Sequence, residues 1–419
     1  MLSIHEALER VLESVPGVRS ETVALADAHG RVLAQQVRSP MDTPPWDNSA
    51  MDGYAVRSAD IPTDGSDVVL RLNEVVGAGH VASCSVLPGT ATGIMTGAPM
   101  PEGADSVIMV EYSDGSLEGH VTLRGPLTHG QHVRRRGEDV ARGSMVAAPG
   151  DLLTPGRLGQ LASLGFAEVE VARRPRVGVL SSGDEVIDPG TPLGPGQIYS
   201  SNNAALCGLV LSAGAIAVDY GNAPDDLEEI RRRLARAAEQ CDLVVTTGGV
   251  SVGAYDHMKQ VFEELAGEDL SFWKVRMKPG KPLAFGLVRG ASGQTPLFGL
   301  PGNPVSCMVN FLQFVRPWVR RAMGDPRPFL PVVDATMAED IRVKPGRPTL
   351  VRVELTMRDG VLCASRAGNQ SSGAVSSMAR AHGLLLIPPE EPGFLRGDSG
   401  RVQLIETGFF ASESPEYPW

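Results

Sequence analysis

Between Arg173 and about Met323, short apolar runs of strand length alternate with stretches whose apolar positions recur at helical spacing. Runs 177–180, 215–218 and 243–245 read as strands, and 204–212, 225–239 and 257–265 as helices, with Asn202 or Asn203 placed to cap the first helix. The alternation predicts a mostly parallel sheet with helices on both faces and a site at the carboxyl ends of the strands. The stretch 242–256 is the centre of that pattern: an apolar strand passes through two threonines into Gly248-Gly249 and Gly253, and a helix follows.

The flanking segments have other periods. Residues 1–15 are amphipathic and helical, stopped by Pro16-Gly17. Residues 21–37 read as a short strand, a turn at His29-Gly30 and a helix or strand. From 56 to about 146, short apolar runs separated by Gly, Pro and Asp predict a small barrel or sandwich. Helix 155–164 and strand 167–171 follow, and strands resume after Asp325, at 350–355, 384–387 and 402–405, with a helix at 374–381. The expected architecture is an α/β core with an inserted all-β domain, a small linking α+β piece and a C-terminal β domain. Boundaries fall at 1–19 for a helix packing on the core, 20–41 with 141–172 for the linking piece, 42–140 for the insert, 173–324 for the core, 325–410 for the last domain and 411–419 for a frayed tail.

With 419 residues, one hydrophobic core is too few, and 42% hydrophobic residues suffice for several. No apolar run is long enough to span a membrane, and the N-terminus lacks an apolar signal core, so a cytoplasmic protein with no membrane partner is expected. A net charge of −11 argues against nucleic acid, which demands counterion displacement by Lys and Arg. Cys84, Cys207, Cys241, Cys307 and Cys363 are scattered without metal-ligand spacing and read as free thiols.

Glycine loops feeding helix N-termini favour anions, because bare amides and the helix dipole point the same way. Four such loops are expected at one sheet edge: 181–185, with Ser182 and Gly183; 246–253, with Gly248, Gly249, Ser251 and Gly253; 278–282; and 299–304, where Pro301, Asn303 and Pro304 start a helix with free amides. No Gly-Lys-Ser/Thr follows the central loop, so it is not a Walker A motif. Asp256 reads as an N-cap or as a Mg²⁺ ligand beside a phosphate, the local sequence favouring the cap. Lys278 and Lys281 are solvated or clamp a phosphate, and the convergence of loops favours the clamp. Gly77-Ala-Gly79-His-Val-Ala82 fits a loose dinucleotide fingerprint, but no helix follows, and it reads as a hairpin or bulge. Consecutive arginines 134–136 on a strand would face alternate sides and read as a solvated edge, with Asp139 capping the turn or reaching a metal. The loop 44–55 carries Trp46, Met51 and Tyr54, which a solvated linker would not need.

Taken together, Asp47-Asn-Ser-Ala-Met-Asp-Gly-Tyr-Ala55, Met95-Thr-Gly-Ala-Pro99, Arg136-Gly-Glu-Asp139, Thr246-Thr-Gly-Gly-Val-Ser-Val-Gly253, Lys278-Pro-Gly-Lys-Pro282 and Leu300-Pro-Gly-Asn-Pro-Val305 resemble the molybdopterin molybdenumtransferase family, which includes bacterial MoeA and the gephyrin E domain. The resemblance spans nearly the whole chain in motif order. It implies an elongated four-part subunit and a homodimer with a composite active site, in which molybdate enters the dithiolene of adenylyl-molybdopterin with release of AMP and assistance from Mg²⁺. It also implies transient contact with a molybdopterin adenylyltransferase and acceptor molybdoenzymes.

Carried over by motif, Asp52, Thr96 and Asp139 belong to the β part reaching across the dimer, and Glu185 and Asp256 line the core pocket. Asp52, Glu185 and Asp256 are the metal carboxylates; Lys278 and Lys281 face phosphate or molybdate, with Ser371 and Arg352 on the last domain. Ala254 and Ser200 stand where many relatives carry an acidic residue and an Asp or Asn, so no ligand role is expected at Ala254 and a weaker one at Ser200. The alternatives are a molybdopterin adenylyltransferase, whose core stands alone, and a gephyrin-like scaffold without enzymatic activity.

Overall fold

Five consecutive residues of the strand Arg176–Ser182, and all of Leu243–Thr247, are buried, which requires cover on both faces of the sheet they form. The computed structural model describes residues 1–248, 257–290 and 293–411. In it these strands lie parallel at the centre of a six-stranded sheet, between Ile216–Ala223 on one side and Gly293–Leu300 on the other. Pro282–Gly290 and Ser271–Lys274 extend the sheet antiparallel at one edge.

Alternation along the strands sorts the core into two layers. Val177, Val179, Leu243, Val245, Phe298 and Leu300 face a cluster with helix Asn202–Ser212, the helices between Pro304 and Ala322, and the N-terminal helix Ile4–Glu13. Leu180, Val244 and Leu297 face helices Leu227–Gln240 and His257–Ala266. Phe298 is fully buried, so its truncation to alanine should cost about 3–5 kcal/mol.

Ile4–Glu13 opens with a capping box between Ser3 and Glu6. Its Ala7 and Val11 enter the first cluster, and just past it Ser14 Oγ accepts from Trp318 Nε1 at 3.0 Å. The segment from Pro304 is interrupted by a π turn at Phe311–Val315, which ends two residues before Pro317, a residue with no amide to donate one turn back.

Ser20–Ala24 pairs with Glu168–Ala172, and Val37–Arg38 with Met145–Ala147, so chain segments on either side of the insert form one linking piece. The insert is a five-stranded sheet in the order Ser106–Met109, Gly53–Val56, Thr90–Ile94, Asp67–Val76, His120–Arg124, with two edges, rather than a barrel or sandwich. Residues 77–89 return the chain to a parallel neighbour, so Gly77 to Ala82 is a crossover loop with a turn closed by His80 N on Gly77 O, and not a hairpin. After Asp325, five strands close a barrel: Val332–Met337, Val361–Arg366, Thr349–Arg358, Gly383–Ile387 and Ser399–Leu404.

The barrel is stitched to the core beside the sheet's carboxyl edge. Lys278 N donates to Pro348 O at 3.0 Å, Leu350 N to Lys278 O at 2.8 Å, and Val305 N to Ser372 O at 3.0 Å. No helix among the described residues is long and apolar enough to cross a membrane.

Candidate functional site

Three strand ends meet at the carboxyl edge, and polar side chains tie them together. Asn202 Nδ2 donates to Thr247 Oγ1 and to Gly302 O, both at 2.9 Å, while Thr247 Oγ1 donates to Pro301 O. Asn202 therefore lies inside its helix and staples a strand to the 300–304 loop, correcting the expected capping role; Asn203 instead donates to Asp219. Ser181 Oγ donates to Asn222 Oδ1, and Asn222 Nδ2 donates to Gly183 O and Val186 O, which fixes the loop after Ser182.

Gly183 sits at φ +137°, and a β-carbon there would come within 2.6 Å of Glu185 Oε2, so the missing side chain makes room for that carboxylate. At Gly248, with φ +91°, a β-carbon would lie 3.1 Å from Ser182 O. The two loops touch through bare backbone.

Ser182, Glu185, Gly248, Pro301, Asn303 and Pro304 line one cavity of about 750 Å³. Ser200 is also in its wall, 7% exposed. The helix start at Pro304 offers fewer amides than expected, because Val305 N is engaged by Ser372 O.

A second cleft of about 820 Å³ adjoins the first, sharing Pro282, and runs between core and barrel. Lys278, Lys281, Arg352 and Ser371 line it. Arg352 is 2% exposed and donates Nε to Ser377 Oγ and Nη2 to Ser371 O, each at 3.2 Å. No carboxylate among the described residues pairs with it, and burial holds its pKa down at about 10.

The remaining candidates are on the β insert. Asp52 Oδ1 accepts from Thr96 N at 2.7 Å and Thr96 Oγ1 at 2.8 Å, and these bonds hold the carboxyl below its ordinary range. Met51 and Met95, the chain neighbours of the pair, are exposed, as is Trp46 earlier in the same loop. Within one chain neither Asp52, Thr96 nor Asp139 lines either cavity. Asp139 donates its amide to Thr43 O. Of the three arginines only Arg134 is in a strand; Arg135 pairs with Asp47 at 2.7 Å and Arg136 with Asp42 at 2.6 Å in the turn that follows. Gly249, Ser251, Gly253, Ala254 and Asp256 lie outside the described residues.

Family models match almost end to end: "MoeA N-terminal region (domain I and II)" over residues 2–165, "Probable molybdopterin binding domain" over 178–321 and "MoeA C-terminal region (domain IV)" over 334–405. The molybdopterin molybdenumtransferase 2 of Mycobacterium tuberculosis is 42% identical over 396 residues, covering 93% of this chain and 96% of that protein. The chain belongs to the molybdopterin molybdenumtransferase family. The molybdopterin molybdenumtransferase of Bacillus subtilis is 32% identical, with 100% and 96% covered. Among solved structures, the molybdopterin biosynthesis moeA protein from Pyrococcus horikoshii OT3 superposes with a TM-score of 0.80 at 30% identity, over 96% of this chain and all of that one.

In this molybdopterin molybdenumtransferase family member, sequence reasoning missed two side chains. Asn202 read as a cap because Asn before an apolar helix is usually one. Asp225 read as part of a helix start, yet its amide donates to Asp184 Oδ1 at 2.9 Å, and burial, then the Asp184 charge, raises its carboxyl pKa. Two adjacent acids, Asp225-Asp226, were the only signal, and Asp226 is the one that caps, accepting from Glu229 N.

Proposed function

We propose that this chain is a transferase of molybdenum cofactor biosynthesis that inserts molybdenum into molybdopterin, with adenylyl-molybdopterin and molybdate as substrates and AMP as the second product. One observation carries the assignment of substrates: a hydroxyl- and glycine-lined cavity adjoins a cleft whose buried Arg352 has no carboxylate partner among the described residues. The first suits a pterin and its phosphates, offering Ser182, Gly248 and Asn303; Gly183 shapes its wall. The second suits a tetrahedral oxyanion, for which Lys278, Lys281, Arg352 and Ser371 supply donors.

We assign Mg²⁺ to the side of the first cavity that Glu185 lines, next to Asp184 and Asp225, where burial first and then the Asp184 and Glu185 charges raise the Asp225 pKa. Among the described residues no three acidic, His or Cys side chains already form a group able to hold a metal, so Glu185 requires company. Asp256 and Asp52 of a second copy would complete the set, and the ion would neutralise and polarise the phosphoanhydride. Asp52 and Thr96 are exposed beside their chain neighbours Met51 and Met95, an apolar margin suited to cover by a second copy, which supports a homodimer with a composite site. A cytoplasmic setting and transient contact with an adenylyltransferase and acceptor molybdoenzymes belong to the same reading.

The test is AMP release from adenylyl-molybdopterin with and without molybdate, in Mg²⁺. Release should depend on molybdate and vanish in Asp52→Ala while the fold persists. Consumption of ATP with plain molybdopterin would instead mark an adenylyltransferase, and activity lost only in proportion to unfolding would remove Asp52 from the site.

A further inference from the structure

The cleft between core and barrel is far larger than one oxyanion, which displaces only a few waters of about 30 Å³ each. Beyond Lys278, Lys281 and Arg352, its lining includes Arg342, Lys344, Arg347 and Arg366, and no Asp or Glu among the described residues. The chain as a whole has 49 acidic against 38 basic residues, so this is a marked local reversal of sign.

Exposure grades the cations from mouth to floor. The Arg342 side chain is 76% exposed and that of Arg366 42%, whereas Arg352 is 2% exposed. Asp340 and Glu339, which pair with Arg342 and Arg366, sit outside the lining; each carboxylate is 3.4 Å from its guanidinium, in exposed pairs that neutralise little, and Glu339 also accepts from the Arg366 amide at 2.8 Å. Lys344 and Arg347 have no ion pair among the described residues. The loop that carries them is fixed, since Gly346 N donates to Pro389 O at 2.7 Å and Gly346 O accepts from Arg276 Nη2 at 3.2 Å.

We propose that Arg342, Lys344, Arg347 and Arg366 form an electrostatic collar at the mouth of this cleft, which gathers a tetrahedral dianion from solution and passes it to the floor at Arg352. An ion at the mouth keeps its water, so these side chains act through their summed field and set the association rate, while the floor sets affinity. A single-signed cleft with low-dielectric walls raises the rate for an oppositely charged ligand by roughly 10 to 10³. The inference rests on the reading of the floor as an oxyanion site.

The experiment is rapid-mixing association of molybdate with the full chain and with Arg342→Ser/Lys344→Ser, across ionic strength. The double variant should associate roughly tenfold more slowly at low salt, given the size of such steering effects. At about 0.5 M salt, where screening acts over less than 10 Å, it should match the parent. Maximal turnover at saturating molybdate should be unchanged. Equal rates at low salt, or a deficit that persists undiminished at high salt, would overturn the collar. The oxyanion reading fails separately, and takes the collar with it, if the parent binds no molybdate or if Arg352→Met binds it equally well.

Discussion

Arg352 Nη2 donates to the carbonyl oxygen of Ser371 at 3.2 Å, so the barrel's one deeply buried arginine spends its hydrogen bonds on neutral acceptors, the Ser377 hydroxyl of the helix Val375–Arg380 and carbonyls of a loop that itself lines the cationic cleft. A buried charge without a counter-charge is costly to the fold and is well placed to attract an anion. Arg352→Met should therefore change stability by no more than about 1–2 kcal/mol, lost hydrogen bonds being offset by relief of desolvation. Molybdate affinity should fall by roughly tenfold to a hundredfold, the worth of a charge-assisted bond. Melting and molybdate titration on one preparation check both halves; a large loss of stability with binding retained would make Arg352 a structural strut.

The polar staple at Asn202 leads to a second expectation. Leucine there keeps the volume but leaves the Gly302 carbonyl without its donor, at a cost of about 1–3 kcal/mol. Asn202→Asp should do no better, because it keeps the shape and loses both donated bonds. A urea midpoint that falls at constant slope would be the signature, and an unchanged midpoint would mean that the 300–304 loop holds itself.

The sheet was legible because its strands are continuous apolar runs between helical periods, a pattern that only a doubly covered sheet satisfies, as Leu243–Thr247 does. Glycine positions were legible too, since Gly183 and Gly248 meet demands no other residue meets. Side-chain allegiance was not. Whether Asn202 caps its own helix or reaches Gly302, one hundred residues away, depends on tertiary approach, as does whether Val305 keeps its amide for a ligand or gives it to Ser372. The cationic mouth was hidden for a related reason: Arg342 and Lys344 are distant in sequence from Lys278 and Lys281, and only docking of the barrel brings them into one cleft.

Asp52 supplies a pH expectation. Its carboxyl is depressed first by the Thr96 amide and then by the Thr96 hydroxyl, so its ionised form is favoured in the fold. The associated stability is present above the ordinary carboxylate range and lost as pH falls through the depressed value. Thr96→Val removes only the hydroxyl, so the Asp52 pKa should rise part of the way toward normal. If Asp52 is needed ionised, the acid limb of the pH profile for molybdate-dependent AMP release should move upward with it. A limb that stays put while a carboxyl titration shows Asp52 shifted would separate this residue from the reaction.

Gly183 offers a test of Glu185 that does not touch the carboxylate. At φ +137° an alanine is strained, which costs about 1–3 kcal/mol. Its β-carbon would also press on Glu185 Oε2, the far end of a flexible side chain, so the carboxylate should swing away before the backbone yields. Gly183→Ala should therefore lose activity well beyond its loss of stability. Glu185→Gln supplies the reference: if displacement of Glu185 is the cause, the double variant should be scarcely worse than Glu185→Gln alone, the two sites sharing one interaction. Independent, additive losses would instead mean that Gly183 acts through the path of its own loop, held by Asn222 on Gly183 O, and that Glu185 keeps its place when the β-carbon arrives.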